Sequence, residues 1–193
     1  MKYLLFLILT TTLFSSTNGL YFEAGAGTNL SNKIEPDKAQ YGYNYNIPVS
    51  VSIGYQGDLF RFEIEELYMK NKITSYTDSI SFNASGDVLR TSTFLNTYIY
   101  KIKNKTETSI GLGVGATNIN IDNLIISNAQ AINGNIKNIP TIKGSFSVGR
   151  TINEDLTLVL KYSYIASQSY TISNIQYKRL SDNIISAHFR YLF

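Results

Sequence analysis

The side chains best able to do chemistry in this chain are charged residues that fall on one face of alternating segments. Glu23, Arg61, Glu63, Glu65, Lys143, Lys161 and Arg190 all stand on polar faces at period two, with His188 two positions before Arg190. Such groups can pair as ions, pass protons or bind a polar ligand. His188 is the only histidine. A hydrolytic site would need it beside a serine and a carboxylate, and the sequence puts no Ser and acid at convincing positions near it. A single His with no Cys leaves no transition-metal site, and no cofactor is expected. Gly111-Leu112-Gly113-Val114-Gly115 has the wrong spacing for a dinucleotide loop, and no helix follows it. With Gly25 and Gly27, these glycines read as bare wall that makes room for long side chains from across a narrow barrel. Asn29, Asn83 and Asn104 each open a glycosylation sequon, which an Asn- and Ser-rich chain supplies by chance.

The elements that must carry these residues are strands. Leu20 to Asn29 sets Phe22, Ala24 and Ala26 against Glu23, Gly25 and Gly27. Tyr43 to Tyr55 alternates Ile47, Val49, Val51 and Ile53 with Pro48, Ser50, Ser52 and Gly54. Leu59 to Lys70 sets Phe60, Phe62 and Ile64 against Arg61, Glu63 and Glu65. Further strands are expected at about Val88 to Lys101, Thr108 to Ile119, Pro140 to Thr151 and Leu156 to Ile165. The eighth runs from Ile184 to the terminal Phe193. Its aromatic face, Phe189, Tyr191 and Phe193, is backed by His188 and Arg190. An aromatic face opposite a charged one suits a strand with lipid on one side and a polar lumen on the other. The expected fold is all-β, an eight-stranded antiparallel up-and-down transmembrane β-barrel.

The connections support this. Gln56-Gly57-Asp58, Lys103 to Glu107 and Asn153-Glu154-Asp155 read as short turns. Leu30 to Gly42, Asn71 to Asp87, Asn120 to Ile139 and Ala166 to Ser181 read as long loops. Short periplasmic turns alternating with long extracellular loops are the pattern of an outer-membrane barrel, with both mature termini in the periplasm. Lys2, the apolar run Tyr3 to Leu9 and the small residues ending at Gly19 make residues 1–19 a signal peptide, leaving residues 20–193 as the barrel domain. The apolar run is too short to cross about 30 Å of hydrocarbon as a helix.

Composition narrows the function. Mean hydropathy is −0.07, as alternation would produce. No cysteine is present, so the fold must close by strand pairing rather than disulfides. With no tryptophan, any interfacial girdle must use the 15 Tyr and 10 Phe. The net charge of +3 is spread out and gives no nucleic-acid partner. Charges inside so narrow a barrel must pair. Strand order brings the first and last strands together, so Arg190 is expected beside Glu23, in a cluster with Lys161 or with Arg61 and Glu63.

Glu23-Ala24-Gly25-Ala26-Gly27, Phe60-Arg61-Phe62-Glu63-Ile64-Glu65, Gly111-Leu112-Gly113-Val114-Gly115 and Phe189-Arg190-Tyr191-Leu192-Phe193 resemble the opacity-protein and OmpA-like family of small bacterial surface barrels, over the whole mature chain. The terminal Phe resembles that group's assembly signal, which Phe189, Tyr191 and Phe193 would form. The resemblance implies a surface antigen or adhesin whose loops carry the activity. The Tyr-, Asn-, Ser- and Gly-rich loops, Tyr41 to Tyr45 among them, suit adaptable binding or an outer girdle. The expected partners are outer-membrane lipid and lipopolysaccharide, the barrel-assembly machinery, and host-surface or matrix proteins. The alternatives are a narrow pore for small solutes and, third, a lipid-modifying enzyme.

Overall fold

A strand that places one residue type on each face folds wherever both faces find a matching environment, and here the chain finds it by closing a ring. The computed structural model describes residues 18–30, 40–43, 47–77, 81–126, 132–172, 175–177 and 179–193. Eleven strands form: β1 (Gly19–Asn29), β2 (Gln40–Tyr43), β3 (Val49–Gln56), β4 (Phe60–Thr77), β5 (Ser81–Lys103), β6 (Thr106–Ile126), β7 (Ile132–Thr151), β8 (Leu156–Ser167), β9 (Tyr170–Ile172), β10 (Ile175–Tyr177) and β11 (Ser181–Leu192). Each wall strand pairs antiparallel with its neighbour in sequence. β11 pairs back to β1, with Glu23 opposite Arg190, and closes the ring. β2 pairs with the upper part of β4, above β3, so β2 and β3 share one position and the barrel has eight walls. β9 and β10 form a small hairpin of their own. Closure pairs each of the eight wall strands on both sides, which a chain without disulfides needs in order to stand in hydrocarbon.

The expected facings hold on every wall. Phe22, Ile53, Phe62, Leu95, Leu112, Ile142, Leu160 and Phe189 point outward, while Glu23, Arg61, Glu63, Glu65, Lys143, Lys161, His188 and Arg190 are buried inside. Tyr55, Tyr191 and Phe193 are exposed at the end of the tight turns. Tyr68, Tyr162 and Tyr164 are exposed higher up, giving Trp-free girdles.

Several boundaries differ from expectation, with the strand expected over Tyr43 to Tyr55 reduced to Val49–Gln56 and β2, β9 and β10 falling in or beside expected loops, and two differences bear on the site. Asn71 to Asp87 and Asn120 to Ile139 are not long loops: β4 runs on to Thr77 and β5 starts at Ser81, while β6 runs on to Ile126 and β7 starts at Ile132. The reason is an inversion of polarity along each strand. On β6, Ile110, Leu112 and Val114 face out below, and Asn118, Asn120 and Asp122 face out above. In the same register Gly111 and Gly113 face in below, and Ile119 and Ile121 face in above. The lower part is built for lipid outside. The upper part is built for water outside and an apolar core within.

The second difference is the β5–β6 turn. Only Asn104 and Lys105 lie outside strands, with φ of 51° and 63°. Two consecutive left-handed residues make the tight hairpin turn whose twist matches its strands. Thr106 and Glu107 therefore belong to β6, and the Glu107 side chain enters the lumen. Of the expected leader, residues 1–17 lie outside the described residues, as do residues 44 and 45 of the Tyr41 to Tyr45 segment.

Candidate functional site

The lumen is the candidate site, and one continuous network fills its tight-turn half. Arg61 donates to Gln56 Oε1 at 2.9 Å and to Glu107 Oε2 at 2.7 Å. Arg190 reaches the same Glu107 through Nη1 at 2.9 Å and holds Glu23 Oε2 through Nε at 2.8 Å. Lys161 pairs with the other Glu23 oxygen and stands 3.9 Å from Glu63. Glu63 accepts from Tyr21 at 2.6 Å, Tyr98 at 2.8 Å, Asn96 at 3.0 Å and Ser52 at 3.2 Å. Asn96 also donates to Glu65, which pairs with Lys143. The carboxylates Glu23, Glu63, Glu65 and Glu107 thus balance the cations Arg61, Arg190, Lys143 and Lys161, all with relative exposure of 4% or less. Buried charge is tolerated when it is paired and its remaining hydrogen-bonding capacity is met. The aromatic rings complete the packing: the Arg61 guanidinium lies 4.7 Å from the Tyr100 ring centroid and the Arg190 guanidinium 5.4 Å from that of Tyr21.

Arg190 meets Glu23 and shares it with Lys161, but Arg61 turns to Glu107 rather than Glu63. Sequence reasoning missed Glu107 because it was assigned to the turn. The one clue was Asn104, a residue type that tolerates the left-handed conformation of a two-residue turn; Lys105 gives no such signal. The glycine wall also differs in detail. It clears space for the neighbouring strand, not for side chains across the barrel. A Cβ on Gly111 would strike the Tyr98 ring, and one on Gly113 would strike Asn96. Both residues are direct pairing partners on β5. Gly25 likewise makes way for His188 on β11.

His188 has the company that the sequence did not reveal. Its Nε2 lies 2.7 Å from Ser186 Oγ and its Nδ1 3.2 Å from Glu23 Oε1, so a Ser, a His and a carboxylate do meet. The serine was hidden because it sits two residues away on the same strand face, and the acid because it lies across the closing seam. Nucleophilic chemistry also requires a place for the scissile bond. The cavity beside Ser186, lined also by Lys161 and Glu65, holds about 10 Å³, roughly one water. Glu23 is already held by Lys161 and Arg190. The arrangement is a hydrogen-bonded lumen histidine, and the cavity beside it is too small for a substrate. Among the described residues no group of His, Asp and Glu has the geometry to hold a metal ion.

Above the ionic half the lumen changes character three times. Leu67, Met69, Phe94, Ile165 and Ile184 form an apolar layer. Arg90 then grips Asp182 with both guanidinium nitrogens, at 2.7 and 3.1 Å, and Asn29 donates to the same carboxylate at 2.6 Å. A second apolar cluster, centred on Ile73, Val88, Ile119 and Leu124, is covered by Tyr170 and Leu180 from the β8–β11 connection. The buried Asn29 is thereby unavailable as a glycosylation acceptor. At the barrel's closing strand Phe189, Tyr191 and Phe193 all face outward. The Tyr191 and Phe193 rings meet edge-on at 5.2 Å, and the Phe193 amide donates to Leu20 O at 2.9 Å.

No family model and no curated protein sequence matches the chain. Solved structures do. Outer membrane protein OprG from Pseudomonas aeruginosa superposes with a TM-score of 0.63 at 12% identity, covering 91% of this chain and 97% of that one. The fold is that of the small outer-membrane barrels. Neisserial surface protein A gives a TM-score of 0.58 at 14% identity, with 91% and 97% coverage. Ail, the attachment invasion locus protein of Yersinia pestis, in complex with the heparin analogue sucrose octasulfate, gives 0.51 at 10% identity, with 90% and 99% coverage. At these identities the likeness is one of fold alone.

Proposed function

We propose that the protein is a bacterial outer-membrane barrel that holds the upper β4–β7 wall outside the cell as an adhesin or surface antigen, and that also stiffens the membrane around it. The observation that carries this reading is the polarity inversion on β4 to β7. A tilted strand needs about 9–11 residues to cross the bilayer. β4, β5, β6 and β7 have 18, 23, 21 and 20 residues, against 11, 8, 12 and 12 for β1, β3, β8 and β11. The surplus stands beyond the apolar belt, with polar residues such as Lys70, Lys72, Asn118 and Asn120 outward. A rigid polar wall above a packed lumen is a surface for contact. The surface and attachment roles carried in the names of two similar proteins support the same reading.

In this reading residues 1–19 are a removed leader, the tight turns and both mature ends are periplasmic, and the belt is surrounded by lipid and lipopolysaccharide. The barrel-assembly machinery reads Phe189, Tyr191 and Phe193, and host-surface or matrix proteins meet the upper wall. The filled lumen opposes the pore alternative, and the missing substrate space opposes the enzyme. The test is attachment of a non-adherent host strain to cultured epithelial cells and immobilised matrix proteins. The native barrel should attach, and a barrel with 71–87 and 120–139 replaced by tight turns should not, although both migrate as folded barrels. Equal attachment by the two, or none by either, overturns the binder reading. Steady conductance in planar bilayers would favour the pore.

A further inference from the structure

We infer that the outer face of the β5–β6 hairpin, at its tight-turn end, is a binding site for an anionic glycerophospholipid of the periplasmic leaflet. The inference rests on the membrane-spanning reading above and adds a specific headgroup and place. Lys101 and Lys103 follow Ile99 on the outward face of β5, and Lys105 occupies the hairpin turn. Arg150 follows Val148 on the outward face of β7. All are exposed, and among the described residues none of the three lysines is ion-paired. Arg150 donates to Asn104 O and to Thr106 Oγ1, which brings its guanidinium against the hairpin. The nearby acids Asp58, Glu154 and Asp155 belong to the flanking turns, and Asp58 accepts from Asn18.

Directly above these cations the belt carries a groove of about 620 Å³. Phe60, Ile99, Ile110 and Phe146 form one register row across β4 to β7, so the large rings flank the two isoleucines. Lys101 and Thr108 line the groove's lower lip. An acyl chain fits an apolar furrow bounded by rings. A phosphate at the water boundary fits several exposed ammonium groups whose stems lie along the belt. The apolar furrow and the cations occupy the same strands in the order in which a phospholipid presents its tails and its phosphate.

The test is native mass spectrometry of the full mature barrel released from vesicles of equimolar dioleoylphosphatidylglycerol and dioleoylphosphatidylcholine. Insertion is checked first by heat-modifiable migration. The native barrel should retain the phosphatidylglycerol in at least about fivefold excess. The triple variant Lys101→Gln, Lys103→Gln, Lys105→Gln should retain the two lipids equally, and Lys70→Gln with Lys72→Gln at the far end should keep the native preference. No preference in the native barrel, or equal loss in both variants, overturns the site while leaving the membrane reading intact. Failure of the native barrel to insert overturns both.

Discussion

Glu23 is the residue on which the seam and the ionic network meet. It lies on β1, its ion-pair partners Lys161 and Arg190 lie on β8 and β11, and its carboxylate also faces the His188 ring. The alternation on these strands made the facing of Glu23, Lys161 and Arg190 legible, and strand order made their meeting legible. The bridge through Glu107 was not, because a residue beside a turn has no periodic context to reveal its phase. Removing one partner of a buried pair costs about 3–5 kcal/mol. Glu23→Gln and Arg190→Gln should each lower stability by roughly that amount in denaturant unfolding of the folded barrel. The double variant should lose less than the sum, because each single change removes one of the other's ionic partners, leaving Lys161 to Glu23 and Glu107 to Arg190. Strict additivity would mean that the 2.8 Å contact between them contributes nothing.

At the scale of the element, strand identity was legible wherever the outward face was apolar. It was lost above the belt, where Ile73, Val88, Ile119 and Ile121 turn inward and the outward face becomes polar. On β6 the side-chain alternation runs unbroken from Ile110 to Ile121, past that boundary, before a bulge beside Asn123 shifts its phase, as one beside Asn138 does on β7. What changes is the solvent, so a search for apolar-outward alternation ends at the membrane boundary while the strand continues. Short epitopes inserted between Thr77 and Ser81 and between Ile126 and Ile132 should therefore be labelled on intact cells. Labelling only after the outer membrane is breached would reverse the orientation. The closing strand β11 carries a different expectation. Phe193 is exposed and fixed mainly by the hydrogen bond its amide donates to Leu20 O and by its ring contact with Tyr191. Its deletion should slow insertion several-fold and reduce folded yield, while the barrel that does form unfolds at nearly the native denaturant midpoint. Normal insertion kinetics would remove Phe189, Tyr191 and Phe193 from the role of assembly signal.

Across the whole molecule, the lumen alternates ionic and apolar layers, and the wall is high on one side and low on the other. The high side comprises four consecutive strands, β4 to β7, and the low side comprises β8, β11, β1 and β3 in the ring order. Backbone ladders between long neighbours hold more hydrogen bonds than those between short ones, so the two sides differ in their resistance to force. Pulled from either terminus with a cantilever, the chain should yield its short strands first, at low rupture force, β1 and β3 from one end and β11 and β8 from the other. The β4–β7 sheet should detach last and at the highest force. Equal rupture forces for all hairpins would contradict this. Under a sideways load a barrel of this shape would answer unevenly, its tall side as a stiff blade and its short side as a compliant flank that takes up the strain.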